Sequence, residues 1–143
     1  MIITDKKRPL SVIVEEIEKQ KSRNKQVALL RSNSCAELKS VLGFGMDPNV
    51  KWLLPDTVPP YTALEESLDV EGRFYSEVKK LIYFVDSPEG RDVRQIKREQ
   101  LFVQVLESID PRDAKLLLRM KDRKLKIKKE SVKEAFPNLA ANW

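Results

Sequence analysis

The chain has 143 residues, a formal net charge of +5 and a sequence pI near 9.3; 41% of its residues are apolar and 34% charged. This is the size and balance of one globular domain with a single real core. With no histidine, one cysteine and four glycines, it has no material for a histidine triad, an imidazole zinc site, a thiolate cluster or a glycine-rich phosphate loop, so a non-enzymatic role without cofactor or metal is expected. No stretch nears the ~18–20 apolar residues of a membrane span, and the opening residues Met1 to Arg8 lack the apolar core of a signal peptide. Cys35 cannot build a disulfide framework; it reads as a small packing residue in a reducing, cytoplasmic setting.

Helical signals follow one another along the chain. After Pro9, Leu10, Val14 and Ile17 make a short amphipathic helix that ends in the charged turn Lys19-Gln20-Lys21-Ser22-Arg23. Asn24 is placed to cap a second helix burying Val27, Leu29 and Leu30. Ser34 with Glu37 reads as a capping box opening a third through Leu38, Val41 and Leu42, which stops at Gly43-Phe44-Gly45. Asp47-Pro48-Asn49 is expected to restart a turn of helix carrying Val50, Trp52 and Leu53. Pro55, Pro59 and Pro60 make residues 54–61 irregular or extended, and Thr62 with Glu65 suits one short capped turn. Trp52 beside Leu53 and Leu54 reads as core rather than as an exposed aromatic–proline surface.

From Gly72 the helical spacing resumes in Phe74, Val78, Leu81, Ile82 and Val85, closing at Ser87-Pro88-Glu89-Gly90. The longest helix is expected from Asp92 to Ile109, with Ile96, Val103 and Leu106 on one stripe and Phe102, Val105 and Ile109 beside it. Lys97 and Arg98 fall on its exposed side. Asp110-Pro111-Arg112-Asp113 is a helix start with an acceptor at the cap and proline at the first position. Its helix turns Ala114, Leu117 and Leu118 inward and Lys115, Arg119 and Lys121 outward. A last helix opens on the pair Ser131 and Glu134 and ends at Phe136-Pro137-Asn138-Leu139. The expected fold is all-α, one domain of about seven or eight short helices. Its expected core includes Leu29, Leu38, Leu42, Phe74, Leu81, Phe102, Leu106, Leu117 and Phe136, while Trp143 is left undecided.

Charge is unevenly placed. Glu65, Glu66, Asp69 and Glu71 make residues 62–71 acidic, whereas residues 111–133 carry ten Lys or Arg against three acids. Within that stretch, Lys121 to Lys129 holds six cations and one acid in nine residues. Leu125 and Ile127 sit two apart inside the run, so the segment is anchored in a core while displaying charge. The cations Arg119, Lys121, Arg123, Lys124, Lys126, Lys128 and Lys129 are the candidate phosphate contacts of a nucleic-acid site. The alternative for each is a solvated surface; the second cluster (Lys19, Lys21, Arg23, Lys25), between the first two helices, could meet DNA as well, but a plain charged turn is the simpler account.

Leu117-Leu118-Arg119, Leu125-Lys126-Ile127 and the closing helix through Phe136-Pro137-Asn138-Leu139 resemble, in that order, the end of the helical N-terminal DNA-binding domain of ATP-dependent DNA ligases. Residues 13 to 42 resemble that domain's opening helices. The chain also looks like small proteins of tailed phages of the large myovirus kind, with Trp52-Leu53-Leu54-Pro55 and the segment Ile96 to Phe102 as landmarks. Many ligases have glycine after the Leu-basic-Ile element, where this chain has Lys128. The adenylation motif Lys-x-Asp-Gly is missing, so the resemblance implies a stand-alone duplex-DNA-binding module without ligation or ATP use. Its implied setting is phage replication, repair or recombination in the host cytoplasm. The alternatives are an adaptor that binds a replication or transcription protein through residues 54–61 or the first helix, and a small virion component.

Overall fold

The computed structural model describes residues 8–65 and 72–143. The acids Glu66, Asp69 and Glu71 and the opening residues 1–7 lie outside the described residues. Among the described residues eight α-helices run in the order α1 (Leu10–Glu18), α2 (Arg23–Ser32), α3 (Ala36–Met46), α4 (Arg73–Glu77), α5 (Pro88–Arg91), α6 (Gln95–Ser108), α7 (Pro111–Lys121) and α8 (Lys129–Ala135), with a 3-10 segment, Val78–Phe84, directly after α4. The chain is all-helical, as the repeated spacing of apolar residues predicts.

One apolar cluster joins nearly every element. Leu10, Val14 and Ile17 of α1, Leu38 and Leu42 of α3, Phe74, Leu81 and Phe84, Phe102 and Leu106 of α6, and Leu117 and Met120 of α7 are buried together. Phe84 meets Phe102 edge to face with centroids 5.2 Å apart, a favoured aromatic geometry. Of the expected core residues, Leu38, Leu42, Phe74, Leu81, Phe102, Leu106, Leu117 and Phe136 are buried, while Leu29 and Trp52 pack half-buried against the cluster's edge. Trp143 also packs against the core, which settles its placement.

Several local expectations are corrected. The α3 cap is Cys35, not Ser34: its Sγ accepts from Leu38 N–H at 3.4 Å. Ser22 rather than Asn24 precedes α2. Ser131 lies inside α8, fully buried, with its hydroxyl spent on Gln26. Residues 50–53 are extended rather than helical, because Trp52 bridges Val85 in an antiparallel pair and Leu53 N–H donates to the Phe84 carbonyl at 2.8 Å. Thr62 caps no turn; its N–H donates to Glu107 at 2.8 Å. On α6 the inward stripe is Arg98, Phe102, Val105 and Leu106, and Ile96 is 72% exposed.

Arg98 is the largest departure. It is buried, and its guanidinium donates to the carbonyls of Tyr83 (3.2 Å), Gly90 (2.6 Å) and Val93 (2.8 Å) and to the Gln95 side-chain oxygen. One planar fork of N–H groups thereby ties α6 to α5 and to the end of the 3-10 segment. Gly90 is required there, since a Cβ on it would stand 2.0 Å from the Val85 carbonyl oxygen.

Helix α1 begins at Pro9 with no capping side chain of its own. The missing acceptor comes from α7: Asp113, fully buried, accepts the Ser11 N–H at 3.0 Å. A carboxylate at a helix N-terminus complements the dipole and satisfies an orphan donor. Burial nonetheless pushes the Asp113 carboxyl above the usual carboxylate range.

Candidate nucleic-acid interface

Helix α7 starts as expected, with Asp110 accepting Arg112 N–H at 2.8 Å and Pro111 at the first position. The Arg112 guanidinium beside it holds the Asp110 carboxyl below the usual range despite partial burial. The helix ends in a Schellman motif: Arg123 N–H donates to the Met120 carbonyl at 3.1 Å and Lys124 N–H to the Arg119 carbonyl at 2.9 Å. Arg123 occupies the left-handed position of that motif at φ 61°, where glycine is usual. The strain is offset because its guanidinium reaches the last carbonyls of α3, donating to Phe44 (2.9 Å) and Asp47. Burial pulls the Arg123 pKa below its ordinary value, opposed by the Asp47 charge.

The loop that follows is anchored as its apolar pair predicts. Ile127 is buried, and Leu125 packs half-buried on α3 at Gly45, where a Cβ would stand 2.6 Å from Leu125 Cδ1. Its backbone is fixed by two side chains from the first two helices. Glu18 accepts the Lys126 N–H at 2.6 Å and also the Arg119 guanidinium. Gln26, almost fully buried, accepts from Lys128 N–H (3.2 Å) and the Ser131 hydroxyl (2.7 Å) while donating to the carbonyls of Ile17 (3.3 Å) and Gln20 (3.0 Å). Glu18 and Gln26 were not singled out from the sequence. Gln26 lies one residue before the apolar Val27, on the inner side of a charged helix, which is a weak signal.

The seven candidate cations therefore divide. Lys121 is a correction: its side chain is only 3% exposed, and its ammonium is held by the Pro55 carbonyl and Asp122, each at 2.9 Å. It stands four residues after Leu117 and so falls on the buried stripe of α7, where it fastens the proline-rich segment to the core. Arg123 is committed to the end of α3, and Arg119 to Glu18 and the Lys124 carbonyl. Lys124, Lys126, Lys128 and Lys129 are exposed. Among the described residues none of these four forms an ion pair; the Lys128 ammonium donates to the Lys21 carbonyl at 2.6 Å.

Lys19 and Lys21 of the second basic cluster lie against the first. Lys19 and Lys126 line one open groove with Arg119, Glu18 and Glu15, and Lys21 meets Lys128 as above. Arg23 pairs with Glu134 at 2.9 Å. Nothing in the structure brings Lys97 into this group. Among the described residues no three His, Cys, Asp or Glu side chains converge as metal ligands, and no helix is long and apolar enough to cross a membrane.

No curated protein and no solved structure matches the chain. Residues 13–127 match a family of unknown function, DUF6433, a span that runs from α1 to the buried Ile127 of the basic loop. The chain belongs to that family.

Proposed function

We propose that this protein is a non-enzymatic duplex-DNA-binding module in which Lys124, Lys126, Lys128 and Lys129 contact backbone phosphates. The observation that carries this reading is the rigid mounting of the loop. A Schellman turn, the Leu125 and Ile127 anchors, Glu18 and Gln26 fix the backbone, so Lys124, Lys126 and Lys129, and Lys128 with one donor on the Lys21 carbonyl, are exposed on a preorganised frame. Such lysines act as point charges on phosphates and read little sequence. The resemblance to ligase DNA-binding domains supports the choice of a duplex, and the separate likeness to small proteins of tailed phages supports a place in phage DNA replication, repair or recombination in the host cytoplasm.

The test is a fluorescence-anisotropy titration with intact, nicked and single-stranded DNA across a salt series. Four phosphate contacts give a slope of log K against log salt of about −3.6. The double variant Lys124→Ala/Lys126→Ala lowers that slope by about two contacts and weakens all sequences alike. Wild-type affinity and slope in the variant would return the loop to a solvated surface. The adaptor reading would then rest on a cavity of about 180 Å³ beneath the proline-rich segment, lined by Leu54, Pro55, Val58, Pro59, Pro60 and Phe102 among others, with Val58 58% exposed.

A further inference from the structure

The turn between α1 and α2 stands about a hundred residues from the basic loop in sequence, yet the fold sets the two side by side. Lys128 Nζ lies 2.6 Å from the Lys21 carbonyl, and Lys19 shares a groove with Lys126. Bringing like charges together costs stability through mutual repulsion, and the acids at the seam do little to relieve it. Glu18 is 9% exposed at its side chain and already spent on Arg119 and the Lys126 N–H. Glu134 is taken by Arg23. Glu15, at the groove rim, is the remaining exposed acid along that groove.

The contacts that force the two segments together are internal and do not neutralise the lysines: the Gln26 amide stitches the carbonyls of Ile17 and Gln20 to Lys128 N–H and Ser131. A seam closed by the Gln26 amide and by a Glu18 carboxylate spent on Arg119 and the Lys126 N–H leaves exposed lysines of one sign on both banks and suits an extended polyanion lying along it. We infer that Lys19 and Lys21 belong to the same phosphate-binding face as Lys124, Lys126, Lys128 and Lys129, so that one duplex engages both chain segments at once. This rests on the DNA-binding reading above and adds to it a second set of contacts.

The experiment compares three double variants in the same salt series on one intact duplex of about 25 base pairs. Lys19→Ala/Lys21→Ala leaves the Lys21 backbone carbonyl in place for Lys128, so the seam survives; matching thermal melts confirm it. Lys51→Ala/Lys79→Ala removes the same charge from exposed positions elsewhere. The expected result is a slope reduced by about 1.8 for Lys19→Ala/Lys21→Ala, a similar reduction for Lys124→Ala/Lys126→Ala, and a wild-type slope for the control pair. If only Lys124→Ala/Lys126→Ala loses slope, the joined face is refuted while DNA binding by the loop stands. If neither pair changes the slope, both readings fall. A loss equal to the control's would show that only net charge matters and would also overturn the inference.

Discussion

Replacing Arg98 with methionine keeps most of the side chain's length and removes all of its donors. Three backbone carbonyls, those of Tyr83, Gly90 and Val93, then lose the N–H groups that stand 3.2, 2.6 and 2.8 Å away. The Gly90 carbonyl keeps the Val93 N–H at 3.2 Å; for the other two, at the low end of the cost of an unsatisfied buried acceptor, ~1 kcal/mol each, the sum is about 2 kcal/mol. Relief from burying a guanidinium without a carboxylate partner lowers that figure, and the lost bond to Gln95 raises it. For a chain of 143 residues, about 2 kcal/mol corresponds to a fall in Tm of roughly 4–8 °C. Urea unfolding followed by circular dichroism gives the free energy, with an unchanged m-value showing that the unfolded state is not the cause. Arg98→Lys supplies one donor head instead of a fork and is expected to fall between wild type and methionine. If both variants lie within about 1 kcal/mol of wild type, the guanidinium is not the tie between α5, α6 and the 3-10 segment.

Other substitutions test separate parts of the argument. Asp113 has a folded pKa raised by burial, so the stability it contributes is full below its unfolded pKa and is lost as pH rises through the raised folded value. Asp113→Asn keeps an acceptor for Ser11 N–H without the charge, and its Tm should equal or exceed wild type at neutral pH, with the gap closing under acid; a variant less stable at neutral pH would mean that the helix dipole outweighs burial. Gly90→Ala forces a methyl group against the Val85 carbonyl and should cost about 1–3 kcal/mol, read from thermal melts. Lys121→Met should leave the salt slope of DNA binding at wild type, because its ammonium is enclosed by Pro55 and Asp122; a slope lowered by one contact would put Lys121 back among the phosphate ligands. Phe102→Ala should cost about 3–5 kcal/mol, and an unchanged melt would contradict its place at the centre of the core.

Fold class, most of the helices and nearly all of the core follow from apolar spacing, because a helix that buries one face must repeat its apolar residues every three to four positions. The proline at the start of α7 and the Leu125–Ile127 anchor are equally local and equally legible. Charge alone misplaces Arg98 and Lys121. Each stands on the inward stripe, four residues from Phe102 or Leu117, and looks exposed only because a lone residue's charge implies water. What buries them is a set of carbonyls from distant segments, at Tyr83, Gly90, Val93 and Pro55. The same holds for Asp113, which caps a helix about a hundred residues away. Which of the strip's cations stay in solvent, and that Lys19 and Lys21 stand beside them, is likewise decided by tertiary structure: a backbone carbonyl leaves no mark in the sequence, and only the packed chain brings it within reach of a buried donor.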